Sequence, residues 1–377
     1  MKIAFFSAYY TPAIGGMMYN IETLAEKLVE RGHSVTVFTC NTTNSALYEE
    51  VAGIKVYRVP AWNMLNGTFP VPKPCFETFK ALRKLKEWHP DVVNTQTRFF
   101  ITTLVGWLFG KVLRVPVVHT ERGTRHSVVS NPKVNIVSQL YDHVIGYAVT
   151  RWVSACTGVS APACDFVKHL SGRKGMRIPN GISMGMFQGE RNINGAKILF
   201  VGRLIKAKGV QDIISAMPAL LEKHPEAELM IAGGGPYADA LIEQAGVESI
   251  RPSIKFIGSV SRDVVVKLLK EATVFINPSY SEGLPTSVME ACAMGVPVVA
   301  TNVGGTAELI DDWVTGILIT PGEPWKIEAT LSFLLSDPKY AWAMGKRGRE
   351  KMMKEYNWES VATEYEELFK KVINRAL

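Results

Sequence analysis

Two apolar patterns alternate along this chain, short unbroken runs and helical stripes, and the alternation occurs twice. KIAFFSA is a β-rich run; the Gly-containing loop TPAIGG follows it, and Ile21, Leu24, Ala25 and Leu28 recur at helical spacing before Gly32 and the run SVTVFT. The second half repeats the order: AKILFVG predicts a strand, RLIKAKG a loop, Ile213, Ile214, Met217, Leu220 and Leu221 a helix, and AELMIAGGG the next strand. Further strands are predicted at PDVVNTQ, VPVVHTE, TVFINPS, VPVVATN and GILITP. Unbroken apolar strands alternating with amphipathic helices belong to sheets covered on both faces, so the fold class is α/β, with two doubly wound domains. The stretch IPNGISMGMFQGERNINGA, residues 178–196, is dense in Gly and Asn and lacks apolar periodicity. It sets the expected domains at 1–185 and 190–358. Val361, Tyr365, Leu368, Phe369 and Val372 predict a last helix, which an ordinary terminal helix would pack on the second domain.

The most membrane-like stretch, FFITTLVGWLFGKVLRVPVV, is interrupted by Lys111, Arg114 and Pro116, whereas a span needs roughly 20 apolar residues in a row. It reads as a buried helix, a turn and a strand. The run after Lys2 ends at Pro12, too early for a signal peptide's apolar core. Five cysteines, at 40, 75, 156, 164 and 292, form no C-x-x-C pair, which reads as a reduced, cytoplasmic chain. The net charge of +7 is unevenly placed: residues 1–190 carry +9 and the remainder −2. A basic half is compatible with an anionic membrane surface, nucleic acid or an acidic substrate. No nucleic-acid motif accompanies it, and no stacking aromatics interleave with the basic residues, so nucleic acid is not an expected partner.

Ligands of open parallel sheets sit beyond the carboxyl ends of the strands, so the loops after strands hold the candidate chemistry. Gly15 and Gly16 stand directly before the first helix, where they would let a phosphate or sugar approach backbone N–H groups, or would only make a tight turn. Arg203 and Lys208, five residues apart in GRLIKAKG, suit a diphosphate: the guanidinium forks onto two oxygens and the ammonium adds a point charge. With Lys206 beside them, they also read as a solvated basic loop.

Glu282 and Glu290, in SEGLPTSVMEA, are eight residues apart. On one helix that is about 12 Å, too far for a carboxylate pair acting on one atom, which needs ~5–10 Å. With Glu282 on a loop and Glu290 on a helix, the two can grip opposite ends of an elongated ligand, such as a sugar and a ribose joined by a diphosphate. Backbone N–H groups of Gly283, Leu284 and Thr286 would then face phosphate oxygens, Pro285 having none. The other reading is a capping box made by Ser287 and Glu290. His119 follows an apolar strand and can hydrogen-bond a sugar hydroxyl or be a satisfied structural histidine. Arg122, Arg125 and His126 read as a solvated basic loop, and the glycines at 233–235 as a turn beside the nucleotide. D-x-D, zinc-type clusters and G-x-x-x-x-G-K-[ST] are all missing, so no metal, no cofactor and no P-loop are expected.

In combination, Gly15 and Gly16, His119 with Thr120, GRLIKAKG and the E-x7-E of Glu282 and Glu290 resemble glycosyltransferase family 4, in order and over nearly the whole chain. The resemblance implies the glycosyltransferase B-type (GT-B) architecture: two Rossmann-like domains facing an interdomain cleft, an N-terminal acceptor-binding domain and a C-terminal nucleotide-sugar domain. It further implies that the helix of residues 359–377 crosses back to the first domain. The implied reaction is metal-independent, retaining transfer of a hexose from a UDP- or GDP-linked sugar to a hydroxyl acceptor: a sugar, a glycolipid or a phospholipid headgroup. The implied roles are Arg203 and Lys208 on the diphosphate, Glu290 on the ribose, Glu282 at the donor sugar, His119 near that sugar, and Gly15 and Gly16 closing over the diphosphate. Ser183 departs from the family's usual PNG-I-D pattern, which touches a hinge-loop contact and not the chemistry. Two alternatives remain: a non-catalytic subunit that binds nucleotide sugars, and an epimerase or phosphorylase of the same architecture. The basic half and its apolar run point to a cytoplasmic protein peripheral to a membrane.

Overall fold

The computed structural model describes residues 1–376 except 14, 65–67, 127–131 and 248–249, with the backbone alone at 132–135. Position 14, inside the expected glycine loop, thus lies outside the described residues. Two units are present: Met1–Asn180 with Trp358–Leu377, and Gly181–Asn357.

The first unit opens with β1 (Lys2–Phe6), α1 (Gly16–Glu30) and β2 (Ser34–Cys40). β3 (Tyr48–Val51), β4 (Ile54–Val59) and the small pair β5 (Ala61–Asn63) and β6 (Phe69–Pro72) follow. Next come α2 (Phe76–Trp88), β7 (Val92–Gln96), α3 (Ile101–Leu113), β8 (Val117–Glu121) and α4 (Pro132–Tyr141). A π-helical turn (Asp142–Gly146) leads into α5 (Tyr147–Arg151), β9 (Ala155–Gly158), α6 (Ala161–Ser171) and β10 (Met176–Arg177). Among the described residues the main sheet runs β10-β9-β8-β7-β1-β2-β4-β3 and is parallel except at β3. β7 and β8 are buried along their whole length, which is why their apolar runs do not alternate with polar positions until the carboxyl ends.

α3 is not the evenly buried helix that its apolar run predicts. Its buried face is the small one, Thr102, Thr103, Gly106 and Gly110. A Cβ at Gly106 would lie 2.7 Å from the Phe6 ring, and one at Gly110 2.3 Å from Val117. The sheet's own large side chains occupy the space, so Leu108 and Val112 face outward.

The second unit contains β11 (Ala196–Val201), α7 (Val210–Lys223), β12 (Ala227–Ala232), α8 (Ala238–Val247), β13 (Ile254–Gly258), α9 (Arg262–Glu271) and β14 (Val274–Asn277). α10 (Thr286–Met294), β15 (Val298–Thr301), α11 (Thr306–Leu309), β16 (Ile317–Ile319), α12 (Pro324–Ser336) and α13 (Pro338–Glu355) complete it. Its parallel sheet runs β13-β12-β11-β14-β15-β16 among the described residues. The strand order reverses beside β11, between β12 and β14, which makes the carboxyl end of β11 the topological switch point, the position at which open parallel sheets generally bind ligands.

The last helix, α14 (Trp358–Asn374), belongs to the first unit. Its apolar stripe of Val361, Tyr365, Phe369 and Val372 joins the cluster built by Ile3, Ile21, Leu24 and Leu28. Arg31 of α1 adds ion pairs with Glu359 at 2.9 Å and Glu366 at 3.2 Å.

Candidate active site

Four loops at the carboxyl ends of β11, β12, β14 and β15 meet in the second unit. Leu204 N–H donates to Gly234 O at 2.9 Å, Tyr280 N–H to Ala207 O at 2.9 Å, and Gly305 N–H to Gly283 O at 3.0 Å. Two glycines allow this close approach. Gly209 has φ +71° and a Cβ there would stand 2.1 Å from Pro278 O; Gly304 has φ +54° and a Cβ there would stand 1.8 Å from Glu282 O. Any L side chain would push the loops apart.

Within this meeting point Lys208 Nζ lies 2.6 Å from Glu282 Oε1. The same oxygen accepts from Ser279 Oγ at 2.7 Å and Asn277 Nδ2 at 3.3 Å, and Glu282 is only 8% exposed. Arg203, on the same loop as Lys208, is exposed, and its guanidinium makes no hydrogen bond or ion pair with a described residue. One cation is therefore held and the other reaches solvent.

Glu282 stands on the loop before α10 and Glu290 inside the helix. α10 starts at Thr286 after Pro285, with no side-chain cap, so Ser287 is already helical and a capping box with Glu290 is ruled out. Glu290 instead pairs with Arg262 of α9 at 3.1 Å. Burial pushes its carboxyl up to about 6, with Arg262 pulling the other way. Gly283 and Leu284 complete the loop, Leu284 buried.

In the first unit Gly15 caps α1 and Gly16 is its first residue. His119, fully buried in β8, has Nδ1 3.0 Å from Thr95 Oγ1 and Nε2 3.4 Å from Glu121 Oε2. Both ring nitrogens therefore face protein groups. That glutamate is itself fully buried. It accepts from Gly123 N–H at 2.6 Å and Arg122 N–H at 2.9 Å and pairs with Arg98 at 3.0 Å. Burial would raise its carboxyl; Arg98, with His119 and the Gly123 N–H, outweighs burial and holds it down at about 2. Arg98 also forks onto Asp142, Nε to Oδ1 and Nη2 to Oδ2 at 3.0 Å each.

The segment Arg122–His126 is thus not a solvated loop throughout. Arg122 donates to Gln96 Oε1 at 3.0 Å and Asn180 Oδ1 at 2.8 Å, and His126 Nδ1 lies 2.7 Å from Asp142 Oδ2; Arg125 alone of the three is exposed. Sequence reasoning missed Arg98, Glu121, Asp142 and Arg262. Only Glu121 left a signal, standing two residues beyond His119 and so on the same face of one strand.

If a ribose hydroxyl donates to Glu290, affinity for a nucleoside diphosphate should fall as pH drops through about 6. The wild type should bind about tenfold tighter than Glu290→Gln at pH 7.5, and the gap should nearly close by about pH 5, as calorimetry would read. Folding raises this carboxyl above its unfolded value of about 4.3, so the group opposes folding at neutral pH and the penalty fades as pH falls through about 6.

The family model described as Glycosyltransferase Family 4 matches residues 14–185, and that described as Glycosyl transferases group 1 matches residues 186–351. An uncharacterised glycosyltransferase of Methanocaldococcus jannaschii is 30% identical, over 98% of each chain. Among solved structures, sucrose-phosphate synthase of Thermosynechococcus elongatus superposes with a TM-score of 0.83 at 22% identity, covering 99% of each chain. HepE of Anabaena in complex with UDP-glucose superposes with a TM-score of 0.78 at 19% identity, covering 98% of this chain and 100% of its own.

Proposed function

Since the chain belongs to glycosyltransferase family 4 and carries the GT-B fold, we propose that it transfers a hexose from a UDP- or GDP-linked sugar to a hydroxyl acceptor, with retention of configuration and without a metal ion. Four loops carrying Arg203, Lys208 and Glu282 at the switch point of the second unit support this reading best. Arg203 and Lys208 take the diphosphate, with the N–H groups of Gly283, Leu284 and Thr286. Glu290 takes the ribose and Glu282 the donor sugar. The first unit binds the acceptor, with the loop at Gly15 and Gly16 and the His119–Glu121 pair among its binding groups.

The bond from the sugar's C1 to the diphosphate oxygen breaks, the acceptor oxygen bonds C1 from the face just vacated, and the acceptor's proton leaves with the diphosphate. Negative charge grows on the departing oxygen, where preorganised cations act most strongly. A thermal-shift screen of nucleoside diphosphates and nucleotide sugars tests the donor, because a ligand that binds only the folded chain raises its melting temperature. Product analysis with and without acceptor, in the presence of EDTA, tests the reaction. Stabilisation by none of these compounds would overturn the reading, and turnover without an acceptor would favour an epimerase.

The acceptor reading is more specific: a hydroxyl on a lipid or lipid-linked sugar at an anionic, cytoplasmic membrane face. The observation favouring it is the helix from α4 through α5, which turns Ser138 and Asp142 inward and Ile136, Val137, Leu140 and Val144 out to solvent. Trp107 and Trp152, stacked at 6.5 Å, continue that surface to α3 with its exposed Leu108 and Val112. Between residues 92 and 164 the only acidic residues, Glu121 and Asp142, are fully buried, while Lys111, Arg114 and Arg151 are exposed. No helix among the described residues is long and apolar enough to cross a membrane. The chain should therefore sediment with vesicles containing phosphatidylglycerol at low salt and be released by salt, which screens such contacts beyond about 10 Å at 0.1 M. Ile136→Asp with Leu140→Asp should abolish sedimentation, and unchanged sedimentation would sink the assignment.

A further inference from the structure

A cavity lies on the edge strand β16 and helix α12, with none of the residues assigned above to the donor in its lining. It encloses about 550 Å³ and is lined by Trp313, Ile317, Ile319, Trp325 and Phe333, with Asn302, Thr320 and Lys326 on its polar side. We propose that it is an oligosaccharide-binding site, in which the indoles of Trp313 and Trp325 stack on the C–H faces of sugar rings.

The backbone of Trp313 carries the argument furthest. It sits at φ +59°, in the left-handed region, where a side chain's Cβ crowds the following carbonyl and glycine would be relaxed. The turn is held there from several sides. Trp313 N–H donates to Gly316 O at 2.8 Å, Thr315 N–H to Asp311 O at 2.9 Å, Tyr340 Oη to Trp313 O at 2.8 Å, and Leu318 N–H to Asp312 Oδ1 at 2.8 Å. The residue so constrained is nevertheless 47% exposed. The fold thus holds the largest side chain where the smallest would suit best, and directs much of it to solvent, where it adds little to the core. Strain kept for no gain in folding points to a ligand.

The rest of the cavity has matching chemistry. Trp325 is 63% exposed, with Lys326 Nζ 5.2 Å from its ring centroid. Phe333 meets Trp313 edge-on at 5.3 Å and fixes the ring. The Asn302 carboxamide is exposed and makes no hydrogen bond with a described residue, and Lys326 Nζ lies 3.0 Å from Thr320 Oγ1. Broad aromatic faces beside amide, ammonium and hydroxyl groups match a pyranose, which has one apolar face and a girdle of hydroxyls. The volume falls within the ~300–1,000 Å³ usual for ligand sites. A lipid surface would ask for a protruding apolar face, whereas these rings border a concavity.

The test uses the full chain without nucleotide and three probes: maltoheptaose, cellohexaose and a linear α-mannohexaose. Calorimetry and the indole N–H resonances report binding. At least one probe should bind with a dissociation constant of millimolar or better and shift the resonances of Trp313 and Trp325. Trp313→Gly should weaken that binding at least about tenfold while its melting temperature stays equal to or above the wild type's, because glycine relieves the left-handed turn. Trp325→Ala should weaken binding similarly, and neither variant should change transfer to a short acceptor. The proposal is overturned if no probe binds, if both variants bind as the wild type does, or if Trp313→Gly melts well below it. Binding is read without donor, so a chain that binds the probe and transfers nothing would refute the proposed reaction and leave this site standing.

Discussion

Replacing Lys208 by alanine is expected to lower kcat/KM for hexose transfer by about 10²–10³-fold, the range seen when one preorganised group facing developing negative charge is removed. The change does two things. It deletes a cation for the diphosphate, and it leaves the carboxylate of Glu282, 8% exposed and 2.6 Å from the lysine, without its counter-charge. Ser279 and Asn277 still donate to that carboxylate, so the loop should keep its shape while turning electronegative toward the ligand. A double-mutant cycle on nucleoside diphosphate binding separates the two effects. Lys208→Ala should lose affinity, and adding Glu282→Gln should restore part of it, because the repulsion disappears. Equal losses in the single and double variants would mean that Glu282 does not face the phosphates.

Arg98→Ala should be the most damaging single change in the first unit. Arg98 is 2% exposed and serves two fully buried carboxylates, Glu121 and Asp142. Removing the partner of a buried ion pair costs about 3–5 kcal/mol, and here two acids lose the same partner. The loss should appear in urea unfolding followed by a probe in the first unit, since the two units need not unfold together. Its pH dependence identifies the cause. Folding holds Glu121 at about 2, below the unfolded value of about 4.3, so its stabilisation is present above about pH 4.3 and is lost as pH falls toward about 2. Without Arg98, burial is less opposed and the carboxyl moves up, so protonation relieves the variant first. The stability gap between wild type and variant should therefore narrow from pH 7 to pH 4. A gap independent of pH would point to lost packing rather than lost charge.

These two predictions differ in how far the sequence alone could have supplied them. GRLIKAKG and E-x7-E are local words, and the loops they occupy follow strands that the apolar runs mark plainly. Lys208 and Glu282 are 74 residues apart, however, and it is the left-handed glycines 209 and 304 that let their loops touch. Arg98, Glu121 and Asp142 left almost no trace. Each is an isolated charge in an apolar neighbourhood, and only the neighbouring order of β7 and β8 makes them one network. β3 to β6, β9, β10 and β13 are not among the strands that the unbroken apolar runs mark; apart from the alternating β4 they are short and without strong periodicity.

Alternation of unbroken and helical apolar patterns determined the α/β class and the presence of two such domains, because burial on both faces of a parallel sheet demands those patterns whatever the tertiary detail. The four motifs determined the family. Tertiary structure decided what local sequence leaves open. It decided that Glu290 pairs with Arg262 and does not cap its helix, since the start of α10 at Thr286 depends on the chain leaving β14. It decided that His119 faces Thr95 and Glu121, that α3 packs its small face inward, and that Trp313 stands in a glycine's conformation. In each case the choice depends on which distant side chains already fill the neighbouring space, and a linear pattern carries no information about that.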